Sequence, residues 1–257
     1  MTARFVWWDL NSKEADRAKD FYRALFGWTL QSWRPEGAPA GMPAYEMIGI
    51  DGRFFGGINQ IPKDAPAPSH WMGHIGVTDL DAAMKRAAAA GATFPMGAME
   101  IPTVGRMGMM IDPQGAVASL FQPAGELPSV PGADVPGMVG WNELLTGDPA
   151  ASRSFYSDVV GWRWRGGPFA GMGYELFGTG EEGGDAGGMM KKPDEVPVTA
   201  WFLYFTSTDL DATVKRIGEL GGTVTSPPFA VEQVGRLAIA MAPDGSMFAV
   251  AQWAPKP

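Results

Sequence analysis

Cysteine is absent from this chain, and histidine occurs only twice, as His70 and His74. Without cysteine there is no disulfide framework, no thiolate zinc or iron–sulfur ligation and no cysteine nucleophile. Two imidazoles and no thiol also leave no Ser-His-Asp or Cys-His constellation to assemble. Positive charge is scarce: 20 Lys and Arg stand against 28 Asp and Glu, a net charge of −8. No basic stripe is available to neutralise phosphates, so no nucleic-acid partner is expected. Long apolar runs are missing too, because Gly, Pro or charge interrupts every one. The opening Met-Thr-Ala-Arg-Phe-Val-Trp-Trp-Asp carries no apolar signal core. No membrane association is expected, and the cytoplasm is the expected compartment.

What is present points to a folded protein rich in turns. Hydrophobic residues make up 46% of the 257 and charged residues 19%, which suits a globular core. The 35 glycines and 22 prolines imply many turns between short strands.

The decisive feature is internal repetition. Phe21-Tyr22-Arg23-Ala24-Leu25-Phe26-Gly27-Trp28 returns 134 residues later as Phe155-Tyr156-Ser157-Asp158-Val159-Val160-Gly161-Trp162. At the same offset, Trp7-Trp8-Asp9-Leu10 returns as Trp141-Asn142-Glu143-Leu144. A second block, 70–124, lies on 200–254 without a gap, with about 17 identities in 55 positions. Between the copies runs 123–137, with four prolines, three glycines and no periodicity, which reads as a semi-rigid connection. The expected organisation is therefore a first domain over 1–125, a linker over 126–135 and a second domain over 136–257.

Within the first half, 4–10 reads as a strand. Asn11 or Ser12 is the expected cap of a helix running to about Leu25 and ended by Gly27. Strands are expected near 28–34, 44–49 and 53–59. The cycle then restarts: a strand over 71–77, a helix from Asp79 to Ala90 ended by Gly91, and strands near 92–100, 105–111 and 116–121. Each half is thus strand–helix–three strands, twice, an α+β arrangement with helices on one face of a mostly antiparallel sheet.

These features resemble the vicinal oxygen chelate, or glyoxalase/bleomycin resistance/dioxygenase, superfamily, and in particular tandem glyoxalase-like or hydroxylase-like proteins of actinobacteria. The residues carrying the resemblance are Phe-Tyr…Leu-Phe-Gly-Trp at the first helix end, Val-Thr-Asp-Leu-Asp-Ala-Ala at 77–83, and Asp112-Pro113-Gln114-Gly115. The second half repeats them with Thr208-Asp209-Leu210-Asp211-Ala212 and Ala242-Pro243-Asp244-Gly245. The resemblance implies two tandem glyoxalase-like domains, each a pair of βαβββ modules forming a curved sheet around a bowl. It does not fix a reaction, because the family hosts several.

Family enzymes hold a divalent ion with His or Glu from four strands. Carried over by motif, the four positions here are Trp7, the Gly56-Gly57-Ile58 segment, His74 and Ser119. In the second half they are Trp141, Gly187-Gly188-Met189, Tyr204 and Ala249. Indole and glycine offer no lone pair to such a cation, so no metal and no other cofactor is expected. A one-residue register shift would bring Asp9 or Glu143 into play. His70 and His74, on one strand, lie about 13 Å apart, too far to share an ion.

If Trp7 points into the bowl, alternation turns Phe5 and Asp9 inward as well. In the second half Trp141 and Glu143 form the matching pair. An indole beside a carboxylate suits a planar or cationic organic ligand. Tyr45-Glu46 and Tyr174-Glu175 add a second repeated pair, of which one member faces each bowl. Arg106 and Arg236 follow a Val-Gly turn and are read either as rim clamps for an anion or as surface ion pairs. The expected ligand-binding set is Trp7, Asp9, Tyr45, His74, Arg106, Ser119, Trp141, Glu143, Tyr174 and Tyr204.

The leading expectation is a binding protein for a small, partly aromatic molecule in one or both bowls, working without metal. One alternative is a metal-dependent glyoxalase-like isomerase, lyase or dioxygenase using His74. Another is a non-catalytic interaction protein with filled bowls. A homodimer is compatible with all three.

Overall fold

The computed structural model of the chain describes residues 3–34, 44–127, 129–167, 171, 173–180 and 184–255. The first half runs β1 (Phe5–Ser12), α1 (Ala15–Phe26), β2 (Thr29–Trp33), β3 (Tyr45–Ile50) and β4 (Arg53–Gln60). It repeats the pattern as β5 (His70–Gly76), α2 (Leu80–Ala89), β6 (Ala98–Ile101), β7 (Gly105–Ile111) and β8 (Val117–Pro123). The second half follows the same order. Its first module is β9 (Val139–Thr146), α3 (Pro149–Val160), β10 (Arg163–Gly166), β11 (Glu175–Gly178) and β12 (Asp185–Lys191). Its second is β13 (Ala200–Thr206), α4 (Leu210–Glu219), β14 (Thr223–Val231), β15 (Gly235–Met241) and β16 (Met247–Trp253).

Each half builds its own eight-stranded sheet. The orders are β2-β3-β4-β1-β5-β8-β7-β6 and β10-β11-β12-β9-β13-β16-β15-β14. The two modules of each half meet through the central antiparallel pair, β1–β5 in one sheet and β9–β13 in the other. Each central strand is flanked on its far side by a parallel partner. The protein is therefore α+β, with two tandem curled sheets of paired βαβββ modules.

Local chemistry explains the helix ends. Gly27 (φ 71°) and Gly161 (φ 75°) end α1 and α3 in the left-handed conformation, each returning its N–H to the last turn, a position that favours glycine. Asp79, Asp148 and Asp209 cap α2, α3 and α4 by accepting a backbone N–H three residues on. The start of α1 differs from expectation. β1 extends through Ser12, and Glu14 occupies the cap position without a side-chain bond. The hydroxyl of Ser12 instead accepts the Glu14 N–H and donates to Asp244 of the other half. The strand expected at 92–100 is also interrupted. Thr93 makes an isolated bridge to Ile111, a turn spans Phe94–Gly97, and β6 starts only at Ala98. Pro95, which cannot donate to a ladder, sits in that gap.

The helix-bearing faces of the two sheets share one core. Tyr22 of α1 packs on Phe248 at 5.4 Å and its hydroxyl meets Ser246 at 3.1 Å. The counterpart Tyr156 donates to Asp112 of the first half at 3.0 Å. Phe5 packs edge-on against Trp201 at 5.1 Å. With the helices committed to this shared layer, the opposite face of each sheet is left to form a bowl.

Candidate functional site: two matched bowls

A β-bulge sets which side chains enter the first bowl. Phe5 pairs with Ile75 while Trp7 pairs with His74, so Val6 is the extra residue. The bulge reverses the alternation. Phe5 therefore turns into the shared core, against Trp162 and Trp201, and not into the bowl as strict alternation predicts. Beyond the bulge, Trp8 and Leu10 lie in the core, and Trp7 and Asp9 face the bowl. The second half carries the same irregularity between Val139 and Trp141.

The first bowl is held by a relay of hydrogen bonds. The Trp7 indole donates to the Tyr45 hydroxyl at 2.6 Å, and that hydroxyl donates to one oxygen of Asp9. The other Asp9 oxygen meets His74 Nε2 at 3.1 Å. Asp9 and His74 are only 7% and 3% exposed. Burial is the largest influence on Asp9 and opposes its ionisation. It is outweighed by the charge of His74 together with hydrogen bonds from His74, Tyr45 and Asn59, so the carboxyl is held below its ordinary value.

The second bowl repeats the relay with one substitution. The Trp141 indole donates to the Tyr174 hydroxyl at 2.9 Å, and Tyr174 in turn hydrogen-bonds Glu143. Tyr204, at the position matching His74, donates to Glu143 Oε2 at 2.7 Å. Glu143 is 6% exposed. Burial pushes its pKa up, and the two phenols offset this only in part. Homologous carboxyls are thus driven in opposite directions by whether an imidazole or a phenol stands across from them.

The tyrosine, not the glutamate, faces the bowl in each repeated Tyr-Glu pair. Glu46 instead accepts from Ser32, and Glu175 accepts from Arg153 at 2.9 Å. Glycine makes room for each phenol. A Cβ on Gly57 would sit 2.2 Å from the Tyr45 ring, and one on Gly188 would sit 2.1 Å from the Tyr174 hydroxyl. Where family enzymes carry a second metal ligand, a tyrosine hydroxyl lies over a glycine. Ser119 pairs with His74 across β5–β8, is fully buried and donates to Leu120.

Arg106 is not brought into the bowl. It lies on the helix side of β7, paired through two nitrogens with Asp81 at 2.8 and 3.0 Å and with Glu100 at 3.0 Å. Arg236 repeats this with Asp211. His70 is also elsewhere, against the Pro68 carbonyl. The described residues do not fit the family's divalent ion. Asp9 and His74 are spent on each other, Glu143 has only phenols, and no group of three His, Cys, Asp or Glu comes together among them.

The expected ligand-binding set left out several bowl residues. Strand register puts Met47, Met72, Met107, Met109 and Phe121 on the Asp9 face. It puts Phe202, Leu237, Ile239 and Trp253 on the Glu143 face. Met107 and Met109 were legible as neighbours on one strand, and their parity with Ser119 is the signal that places them.

Comparison with known proteins agrees with this architecture. The sequence model of the Glyoxalase/Bleomycin resistance protein/Dioxygenase superfamily matches residues 4–120 and 139–250. CFP32 of Mycobacterium bovis, named as a candidate glyoxylase, is 33% identical over 97% of this chain and 95% of its own. The anthracycline biosynthesis protein DauV of Streptomyces sp. is 30% identical over 96% of this chain and 92% of its own. Among solved structures, the 2,3-dioxygenase LapB from Pseudomonas sp. KL28 superposes with a TM-score of 0.65 at 14% identity, covering 100% of this chain and 95% of that one. The Mn(II)-bound glyoxalase from Novosphingobium aromaticivorans gives 0.62 at 14% identity, over 97% and 83%. At such identity these two show the fold alone. Matched in both halves by the family model and 33% identical to CFP32 over nearly its whole length, the chain belongs to the glyoxalase/bleomycin resistance protein/dioxygenase superfamily.

Proposed function

We propose that the protein binds a small, partly aromatic organic molecule in its bowls, without a metal ion. The carrying observation is the repeated Trp–Tyr–carboxyl relay on the concave face of both sheets. Trp7 and Trp141 stay half-buried while the carboxyls behind them are buried. A half-covered indole is a stacking surface, and a carboxyl with its phenol is a polar anchor of fixed position. Thioethers around the first bowl add an apolar lining that adapts to shape. The relation to an anthracycline biosynthesis protein supports a flat, hydroxylated aromatic ligand. Trp7 and Trp141 each keep part of the indole accessible, which a bowl wholly filled by its own side chains would not leave. A metal-dependent isomerase or dioxygenase would need donors that Trp7, Gly57 and Ser119 do not supply.

The test is calorimetric titration with flat hydroxylated aromatics, an anthracycline among them, with and without chelator. Saturable binding that chelator leaves unchanged is expected, weakened by Tyr45→Phe and Tyr174→Phe. Absence of binding, or binding abolished by chelator and restored by a divalent ion, overturns the proposal.

A further inference from the structure

The two bowls share a backbone plan but differ at several matched positions, with Trp33 and Phe121 of the first standing against Gly167 and Ala251 of the second, and three further differences bearing on the carboxyl. Met72, His74 and Pro123 of the first correspond to Phe202, Tyr204 and Trp253 of the second. These three changes gather aromatic rings around Tyr204, which bonds Glu143. The Phe202 and Tyr204 rings meet edge to face at 5.6 Å, and Trp141, Phe202 and Trp253 pack against the cluster containing Tyr204. The same changes replace the imidazole that faces the carboxyl with a phenol. In the first bowl, imidazole answers the buried carboxylate at 3.1 Å. In the second, Glu143 receives phenols from Tyr204 and Tyr174, and among the described residues no cationic side chain acts on it.

A buried carboxyl that lacks a counter-charge and is ringed by aromatic faces has a specific complement. The rings attract a cation through their quadrupoles, and the carboxylate supplies the opposing charge that burial otherwise makes costly. A protein carrying −8 net charge also draws cations toward it. We infer that the second bowl is selective for an organic cation, an aromatic or alkyl-substituted ammonium seated between Trp141, Tyr174, Tyr204 and Phe202 with its charge on Glu143, while the first bowl, whose Asp9 is already engaged by the His74 imidazole, takes neutral ligands. This rests on the small-molecule reading above and specifies its ligand class. The His74/Tyr204 difference is the selectivity determinant, and the bowls divide the work by charge.

The experiment compares N-methylquinolinium with quinoline, which is neutral at the neutral pH used, by calorimetry on the full chain. The cation is expected to bind about tenfold tighter than quinoline. Glu143→Gln keeps the shape and is expected to lower cation affinity by about tenfold or more while moving quinoline less than about twofold. Tyr204→His, which installs the first bowl's imidazole opposite Glu143, is expected to abolish the preference in the same way. Thermal unfolding of both variants checks that each remains folded. Equal affinity of the two probes for the second bowl, read from the Trp141 indole N–H signal, or an unchanged preference in both folded variants, overturns the charge selectivity and leaves the aromatic-binding reading standing. If neither probe binds, both fall.

Discussion

The indole of Trp8 donates to the side-chain oxygen of Asn142 at 2.7 Å, across 134 residues of sequence. Trp8 stands between Trp7 and Asp9, and Asn142 between Trp141 and Glu143. One buried bond therefore ties the back walls of the two bowls together. Asn142 also donates to the Ala186 carbonyl at 3.1 Å, securing β12 beside β9. Asn142→Ala would leave the indole N–H unpaired in the core. A loss of about 1–3 kcal/mol is expected for that group, read by urea denaturation as a lower midpoint with unchanged slope.

Gly57→Ala probes the tyrosine seat. The added methyl would meet the Tyr45 ring at 2.2 Å, so the phenol must leave both Trp7 and Asp9. A cost of about 1–3 kcal/mol is expected from overpacking, with weakened aromatic binding. Gly188→Ala should act in parallel through Tyr174. Unchanged binding in both variants would show that the tyrosines do not organise the bowls.

The opposed carboxyls give opposed pH effects. Asp9 is held below its ordinary 3.8, so its contribution is fully present above that value and is lost as pH falls through the lower folded pKa. Asp9→Asn should remove that acid-side loss. Glu143 is raised above its ordinary 4.5. Between these two values the folded state holds a proton that the unfolded chain has released, so stability falls as pH rises through the window. Glu143→Gln should remove that fall and make the protein more stable at neutral pH. Denaturation midpoints across pH check both signs.

Added Mn(II), Fe(II), Ni(II) or Zn(II) is expected to leave the thermal midpoint unchanged, because ligation linked to folding requires a donor set that binds the native state. A dose-dependent rise of several degrees would contradict the reading of Trp7, Gly57 and Ser119 as non-ligands.

The fold was open to sequence reasoning because duplication exposes it: two copies of Phe-Tyr…Gly-Trp and Asp-x-Asp fix helix ends and register at once. The network was half legible. Trp7, Asp9, Trp141 and Glu143 follow from alternation, but Tyr45 and Tyr174 needed a parity that short strands beside loops do not reveal. Phe5 was misplaced because a bulge depends on pairing with β5, which no local pattern encodes. Arg106 was left between a rim clamp and a surface ion pair for a related reason. Its alternation with Met107 assigns it to the helix side only once β7 is registered on β8.

The most direct check on the central claim is an indole N–H spectrum of uniformly 15N-labelled protein, assigned by single Trp→Phe variants and followed during titration with a flat hydroxylated aromatic in the presence of chelator. The Trp7 and Trp141 signals are predicted to shift saturably while those of the interior Trp28 and Trp162 hold still. Stationary Trp7 and Trp141 signals, or shifts that appear only when a divalent metal is restored, would contradict a metal-free aromatic bowl.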